Sequence, residues 1–300
     1  MNKWFVIINP TSGNGYTKRK KNKIIRALEN LKDGFVVNYT QYPKHEIKLV
    51  HQATKNGFVK FISVGGDGTL HYIINGIFTQ KTIDTNKIQV GVIPFGTGND
   101  WVKQHKIPKN LRKNIAILNN NNLIEQDIGA ITLKDKKAYF NNVAGVGLDG
   151  FVVKNINKKL GKLSYLLAAF KSVFRFKKSA IQISLNDKII TVNSLLLSIG
   201  ICRFSGGGMR FTNQVNPQDG LFDISLVKDL HPLALFLNVH RLYNGKLDKH
   251  KSVDTYKAKK LAIAVKSKNK PYIQADGELL GIGDFTVEII PKAINFLIPE

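Results

Sequence analysis

The five residues Gly65-Gly66-Asp67-Gly68-Thr69 constrain this 300-residue chain more than any other feature. They come directly after the strand-like run Val59–Val64, and Leu70–Phe78 after them reads as a helix. Three glycines in four positions make a turn open to close backbone approach. A strand ending in such a turn, with a helix opening from it, offers backbone N–H groups and a helix dipole to phosphate. The acidic residue Asp67 would repel a phosphate unless a metal stood between them. It reads either as a holder of Mg²⁺, directly or through water, or as a cap within a tight turn.

The same pattern occurs twice more. The strand Trp4–Ile8 runs into Asn9-Pro10-Thr11-Ser12-Gly13-Asn14-Gly15, and Gln89–Ile93 runs into Pro94-Phe95-Gly96-Thr97-Gly98-Asn99-Asp100. Between them lie a helix over Lys18–Leu31, a strand at Phe35–Tyr39 and a helix around Glu46–Thr54. Strand, loop and helix in alternation imply a parallel sheet with crossover helices, and ligands of such sheets sit at the carboxyl ends of the strands. The first loop is no Walker loop, because it lacks a subsequent Gly-Lys-Ser/Thr, and no dinucleotide fingerprint, because Lys18 stands where a third glycine would fall. Alone it reads equally as a plain turn. In the third loop Thr97 suits a phosphate, and Asn99 and Asp100 read as helix caps or as helpers at the metal site.

Beyond Glu125 the texture changes. Short β-rich runs appear at Ala138–Asn142, Ile181–Leu185, Lys188–Val192, Leu195–Ile199, Leu221–Val227, Leu261–Val265 and Asp284–Ile290. Turn residues separate them, which implies a mainly antiparallel second domain, a sandwich. The expected division is therefore an α/β domain over 1–125 and a β-sandwich over 126–291, with the apolar end, 292–300, returning to the first domain. An apolar fraction of 43% supports a real core. The single cysteine, Cys202, excludes internal disulfides and fits a reducing, cytoplasmic compartment. No run approaches the ~20 apolar residues of a spanning helix. Lys and Arg number 45 against 21 Asp and Glu, a net charge of +24, which points to polyanionic partners.

Taken in this order, the three loops resemble the diacylglycerol-kinase catalytic family and its bacterial soluble lipid kinases. The likeness continues through Asp127-Ile128-Gly129, Phe140–Asp149, Gly206-Gly207-Gly208, Asn216–Asp223 and Ile273–Glu278. NAD kinase shares the Gly65–Thr69 pattern but should lack Pro94–Asp100 and the late Asp-Gly-Glu. The resemblance implies an NAD-kinase-like nucleotide domain followed by a β-sandwich. It implies ATP contacts from Asn9, Pro10, Thr11, Ser12 and Gly13, from Thr40, from Gly65, Gly66, Asp67, Gly68, Thr69, Leu70 and His71, and from Thr97. It implies Mg²⁺ at Asp67 and a structural Mg²⁺ held by the Asp219 side chain with the Asn216 and Leu221 carbonyls. The catalytic base falls in Asp276-Gly277-Glu278, with Asp276 favoured and Glu278 next. Without the resemblance, Asp276-Gly277 reads as a hairpin turn and Asn216–Leu221 as another turn.

The reaction so implied is phosphoryl transfer from Mg-ATP to a lipid hydroxyl, diacylglycerol first, with sphingosine-type or other lipid alcohols, or a lipid-binding protein without catalysis, as alternatives. Leu160, Leu163, Leu167, Phe170 and Phe174 form one helical stripe ringed by Lys158, Lys159, Lys162, Lys171, Arg175, Lys177 and Lys178. It reads as a membrane-surface helix or as a helix packed on the sandwich. Peripheral association with an anionic membrane and a homodimer are expected, and nucleic acid is not, since no ribonucleoprotein motif or helix-turn-helix is present. One departure from the family is Tyr72, where an acidic residue is usual. Another is the stretch Ser198–Phe204, which replaces the asparagine usual before the Gly206–Gly208 segment.

Overall fold

The computed structural model describes residues 2–134, 136–155, 175–212, 214–228, 230, 234 and 237–300. By contacts the chain divides into two compact units, residues 1–127 with 292–300, and residues 128–291.

The first unit runs β1 (Trp4–Ile8), α1 (Tyr16–Arg19), α2 (Lys21–Leu28), β2 (Phe35–Tyr39), α3 (His45–Lys55), β3 (Lys60–Gly65), α4 (Asp67–Thr79), β4 (Gln89–Pro94), α5 (Asp100–Gln104) and α6 (Leu111–Asn120), and enters β5 (Leu123–Leu133). β2, β1, β3 and β4 pair in that order, all parallel. Every residue of β1 is buried, and β3 and β4 are buried beyond their first residues. Central strands of a parallel sheet are covered on both faces, which explains their continuous apolar runs. Ile24 and Leu28 of α2 and Ile115 and Leu118 of α6 pack with Trp4, Val6, Ile8, Ile62 and Val64. α3 and α4 pack on each other, where Gly76 lies against Val50.

The expected helix over Lys18–Leu31 is two helices, broken at Lys20 (φ −101°, ψ 8°). The strand β5 crosses the point where the sequence texture changes. Its polar residues Gln126 and Asp127 hide it from a local pattern, yet both are buried. Gln126 accepts a hydrogen bond from Trp101 Nε1 (2.9 Å), and Asp127 accepts one from the Lys292 backbone N–H (2.8 Å). Asn295 and Phe296 pair in parallel with Gln89 and Val90.

The second unit continues with β6 (Lys136–Phe140), β7 (Val143–Gly147), α7 (Leu148–Asn155), β8 (Ser179–Leu185), β9 (Lys188–Gly200), the short β10 (Phe204–Ser205) and β11 (Met209–Arg210), β12 (Phe222–Lys228), α8 (Val239–Asn244), β13 (Val253–Ala258), β14 (Lys260–Val265), β15 (Tyr272–Ala275), β16 (Glu278–Ile282) and β17 (Phe285–Leu297). Its strand pairs are antiparallel. The two runs expected at Lys188–Val192 and Leu195–Ile199 are one strand, β9. Its first half pairs with β8, and its second half lies between β7 and β12. The amphipathic stripe from Leu160 to Phe174 lies outside the described residues. No described helix is long and apolar enough to cross a membrane.

Candidate active site

Three loops leave the carboxyl ends of β1, β3 and β4 and touch through their backbones. The Phe95 and Gly96 N–H groups donate to the Gly65 carbonyl (2.7 and 3.1 Å). A Cβ on Gly66 would stand 3.0 Å from the Gly96 Cα, and one on Gly96 would overlap Gly66. Gly13 (φ +60°) meets the Phe95 carbonyl as closely. Side chains at these positions would push the loops apart. Within the first loop Asn9 Oδ1 accepts from the Thr11 N–H and hydroxyl (3.0 and 2.8 Å), and the Ser12 hydroxyl lies 3.4 Å from that of Thr69.

Asp67 is the first residue of α4, and its carboxylate ties two of the loops together. Its Oδ1 accepts from the Asp100 N–H (2.9 Å) and, at 3.4 Å, from the Trp101 N–H, so it caps α5. Its Oδ2 faces Gly98, 2.9 Å from where a Cβ would stand, and the Asp100 Oδ2 borders the same position at 3.8 Å. The two carboxylates and the room left at Gly98 form an oxygen-only donor set. Mg²⁺ is commonly bound by one or two carboxylates together with substrate phosphates; Asp67 fits that role, while Asp100 Oδ1 is held by the Lys103 ammonium (2.8 Å).

The remaining expected contacts divide by exposure. Thr40 comes just after β2 and its N–H donates to the Ile8 carbonyl (3.0 Å), while Thr97 is exposed on the third loop. Pro10 lies in the first loop, and Gly68 in the first turn of α4. Leu70 and His71 are buried in α4, and the Leu70 N–H already donates to the Gly66 carbonyl (3.2 Å). Tyr72 packs against His71 (5.1 Å between rings), with the Lys44 ammonium 5.9 Å from its ring centre. Beside the third loop opens a cavity of about 560 Å³ lined by Tyr16, Lys20, Lys23, Phe95, Lys109 and Arg112, a cationic wall that no sequence motif reveals.

In the second unit Asp276 and Gly277 are the two-residue turn of the β15–β16 hairpin, with φ of 50° and 77°. Asp-Gly with both φ positive is the chemistry of a type I′ turn. The Asp276 carboxylate points back into the chain. Its Oδ2 accepts from the Asn141 N–H (3.1 Å), and its Oδ1 from the N–H groups of Asn142 (3.0 Å) and Val143 (3.1 Å). Its own N–H donates to the Val143 carbonyl (2.9 Å). Asp276 thus pins the β6–β7 connection. Glu278 opens β16, half-buried.

The segment expected to hold a structural Mg²⁺ already contains a cation. The Lys257 ammonium donates to Asp219 Oδ2 (3.1 Å) and to the Gln214 carbonyl (3.2 Å), and stands 3.6 Å from Asp223 Oδ2. Asp219 Oδ1 accepts from the Leu221 N–H (3.0 Å), and the Asn216 carbonyl accepts from the Asp219 N–H (3.3 Å). Burial pushes the Asp223 carboxyl up to about 6 although Lys257 pulls it down. A divalent ion on the Asp219 carboxylate would press against the ammonium. The ammonium thus stands on the Asp219 oxygen that the cation expected at Asn216, Asp219 and Leu221 would use. Among the described residues no group of three or more His, Cys, Asp or Glu side chains could hold a metal ion.

Asp149, the last residue of the Phe140–Asp149 motif, has no role that its sequence neighbourhood suggests, yet it begins a buried polar network. Burial raises its carboxyl to about 6, against the pull of hydrogen bonds from Gln274 and the Gly150 N–H. The available signal is its glycine neighbours, Gly145, Gly147 and Gly150.

Residues 3–131 match the family model of the diacylglycerol kinase catalytic domain, and residues 142–298 match that of the YegS C-terminal NAD kinase beta sandwich-like domain. The YtlR protein of Bacillus subtilis is 27% identical over 98% of this chain and 99% of its own length. A diacylglycerol kinase of Staphylococcus saprophyticus is 27% identical over 92% of this chain and 88% of its own. The crystal structure of a Bacillus anthracis diacylglycerol kinase superposes with a TM-score of 0.76 over 99% of this chain and 97% of that one, at 18% identity, and so shares the fold. The catalytic-domain model lies on the α/β unit, and the sandwich model alone covers more than half of the residues. The chain belongs to the family of the YegS C-terminal NAD kinase beta sandwich-like domain, preceded by a match to the diacylglycerol kinase catalytic domain.

Proposed function

We propose that this chain transfers the γ-phosphoryl group of Mg-ATP to the hydroxyl of a lipid alcohol, with diacylglycerol as acceptor and phosphatidic acid as product. The observation that carries the reading is the backbone contact of three glycine loops at the ends of β1, β3 and β4, with Asp67 spanning two of them. Loops without side chains at their contacts suit a ligand met by backbone N–H groups, and phosphate is that ligand. Asn9–Gly13, Thr40, Gly65–His71 and Thr97 are the residues to which ATP is assigned. When bound at Asp67, Mg²⁺ would offset charge on the transferring phosphoryl group.

The acceptor proton falls to the Asp276–Glu278 hairpin. Both Asp276 oxygens already accept from three backbone N–H groups. We therefore assign the base to Glu278 and the fixing of its turn to Asp276. Glu278 takes the hydroxyl proton as the oxygen attacks the γ-phosphorus, the bond to the bridging oxygen breaks, and ADP leaves. The net charge of +24 supports work at an anionic membrane surface on the cytoplasmic side, with about 1 kcal/mol for each basic residue near the surface. A different lipid alcohol is the alternative acceptor, motivated by Tyr72 at a position the family fills with an acid. Labelled ATP, Mg²⁺ and vesicles carrying diacylglycerol, sphingosine or another lipid alcohol separate these readings. Label in phosphatidic acid is the expected result. Label in another lipid reassigns the acceptor, and ATP binding without transfer to any lipid leaves a binding protein.

A further inference from the structure

Helix α7 begins immediately after β7 and packs against β15. Two glycines make the approach possible. A Cβ on Gly145 would overlap the Asp149 carboxylate, and one on Gly150 would overlap the Tyr272 carbonyl. In the room so left, Asp149 Oδ1 accepts from the Gly150 N–H (2.7 Å) and Oδ2 accepts from Gln274 Nε2 (2.9 Å). Gln274 is 3% exposed and stands opposite Gly145 across the β7–β15 pair. The other end of its amide is also engaged, because Oε1 accepts from the Gly277 N–H (2.9 Å). Gly277 lies between Asp276 and Glu278.

The order of donors and acceptors along this line has one consistent direction. An ionised carboxylate only accepts, so it must face the NH₂ end of the Gln274 amide. The carbonyl end then faces Gly277, whose N–H is a donor. A reversed amide would set oxygen against oxygen at Asp149 and donor against donor at Gly277. We propose that Asp149 is a positioning residue that, by fixing the Gln274 amide, locks the Gly277 turn and with it the direction of the Glu278 carboxylate. Asp276 anchors the same turn from its other side through the N–H groups of residues 141–143. Asp149 itself does not touch the reacting atoms. The catalytic part of the inference rests on Glu278 as the base.

The test combines amide hydrogen exchange resolved at Gly277 with steady-state kinetics on the wild type, Gln274→Met, Asp149→Leu and Asp149→Asn. Gln274→Met removes both hydrogen bonds at nearly constant volume, and it keeps the test open if Asp149→Leu does not fold. Gln274→Met and Asp149→Leu should speed Gly277 exchange by about 10-fold or more, because a local hydrogen bond is lost while the global fold persists. They should lower kcat by roughly 10- to 100-fold with the KM for ATP within about 2-fold of wild type, the signature of a mispositioned group. Asp149→Asn keeps an oxygen for Gln274 but turns its NH₂ toward the Gly150 N–H, so both readouts should fall between those of wild type and Asp149→Leu. Unchanged Gly277 exchange in folded Gln274→Met overturns the relay, as does unchanged exchange in folded Asp149→Leu. If the wild type transfers phosphate to no acceptor, the catalytic reading fails, and the exchange result still decides whether the relay exists.

Discussion

At the scale of single residues, the site is organised by carboxylates that have different work to do. Asp67 gives one oxygen to the first N–H groups of α5 and turns the other toward Gly98. Asp276 gives both oxygens to backbone, and Glu278 is assigned the chemistry. The assignment predicts a separation of effects. Glu278→Gln should lower kcat by about 10²- to 10⁴-fold, the usual worth of a general base, with a smaller loss of stability than Asp276→Asn. Asp276→Asn should lose stability by about 2 kcal/mol, the order of charge-assisted hydrogen bonds to one group, read by urea unfolding. The reverse pattern would return the base to Asp276. Lys257 carries a second prediction. Wild type without nucleotide should melt at the same temperature with or without Mg²⁺. Lys257→Met removes the ammonium from Asp219 and Asp223 and should gain an Mg²⁺-dependent rise in melting temperature that Asp219→Asn abolishes. A bound divalent ion in the wild type, lost in Asp219→Asn, would contradict the displacement.

At the scale of elements, the backbone contacts of the loops set what the sheet can bind. Gly96→Ala puts a methyl group into the Gly66 backbone. Backbone cannot yield as a flexible side chain does, so the two loops must part. Isothermal titration should show ATP affinity falling by about 10-fold or more, since a misplaced set of contacts forfeits binding geometry, while circular dichroism stays native. Unchanged affinity would mean that the contact does not shape the site. Elements are also the scale at which the sequence is legible: most expected strands are present in both units, β6, β8, β12, β14 and β17 of the second overlapping their expected runs, and the gaps are few. β1 and β2 match their expected bounds, and β3, α4 and β4 lie within a few residues of theirs, because buried parallel strands and glycine turns leave local signals. β5 escapes a local reading because Gln126 and Asp127 break its pattern, and their partners, Trp101 and Lys292, are distant in sequence. β7 is rich in glycine, Val143-Ala144-Gly145-Val146-Gly147, and β15 is only four residues long, so neither shows alternation. The network of Asp149 and Gln274 is illegible for a related reason. Both residues stand in family-like motifs, but the hydrogen bond between them spans 125 positions of chain. The Asp-Gly signal for a turn is local, and the turn is present.

At the scale of the whole molecule, the proposed reaction draws on residues of both units. The α/β unit holds the backbone loops suited to phosphate, and the antiparallel unit holds the hairpin that bears Glu278. The excess of 45 basic over 21 acidic residues suits the proposed work at an anionic lipid surface. The central claim is that these parts together phosphorylate a lipid alcohol. The direct measurement is transfer of ³²P from labelled ATP, with Mg²⁺, to diacylglycerol in vesicles containing an anionic phospholipid, comparing wild type with Glu278→Gln. The expected result is labelled phosphatidic acid from wild type and its near-complete loss in the variant at equal ATP affinity. ATP binding with no labelled lipid from the wild type, or undiminished transfer by Glu278→Gln, would contradict the claim.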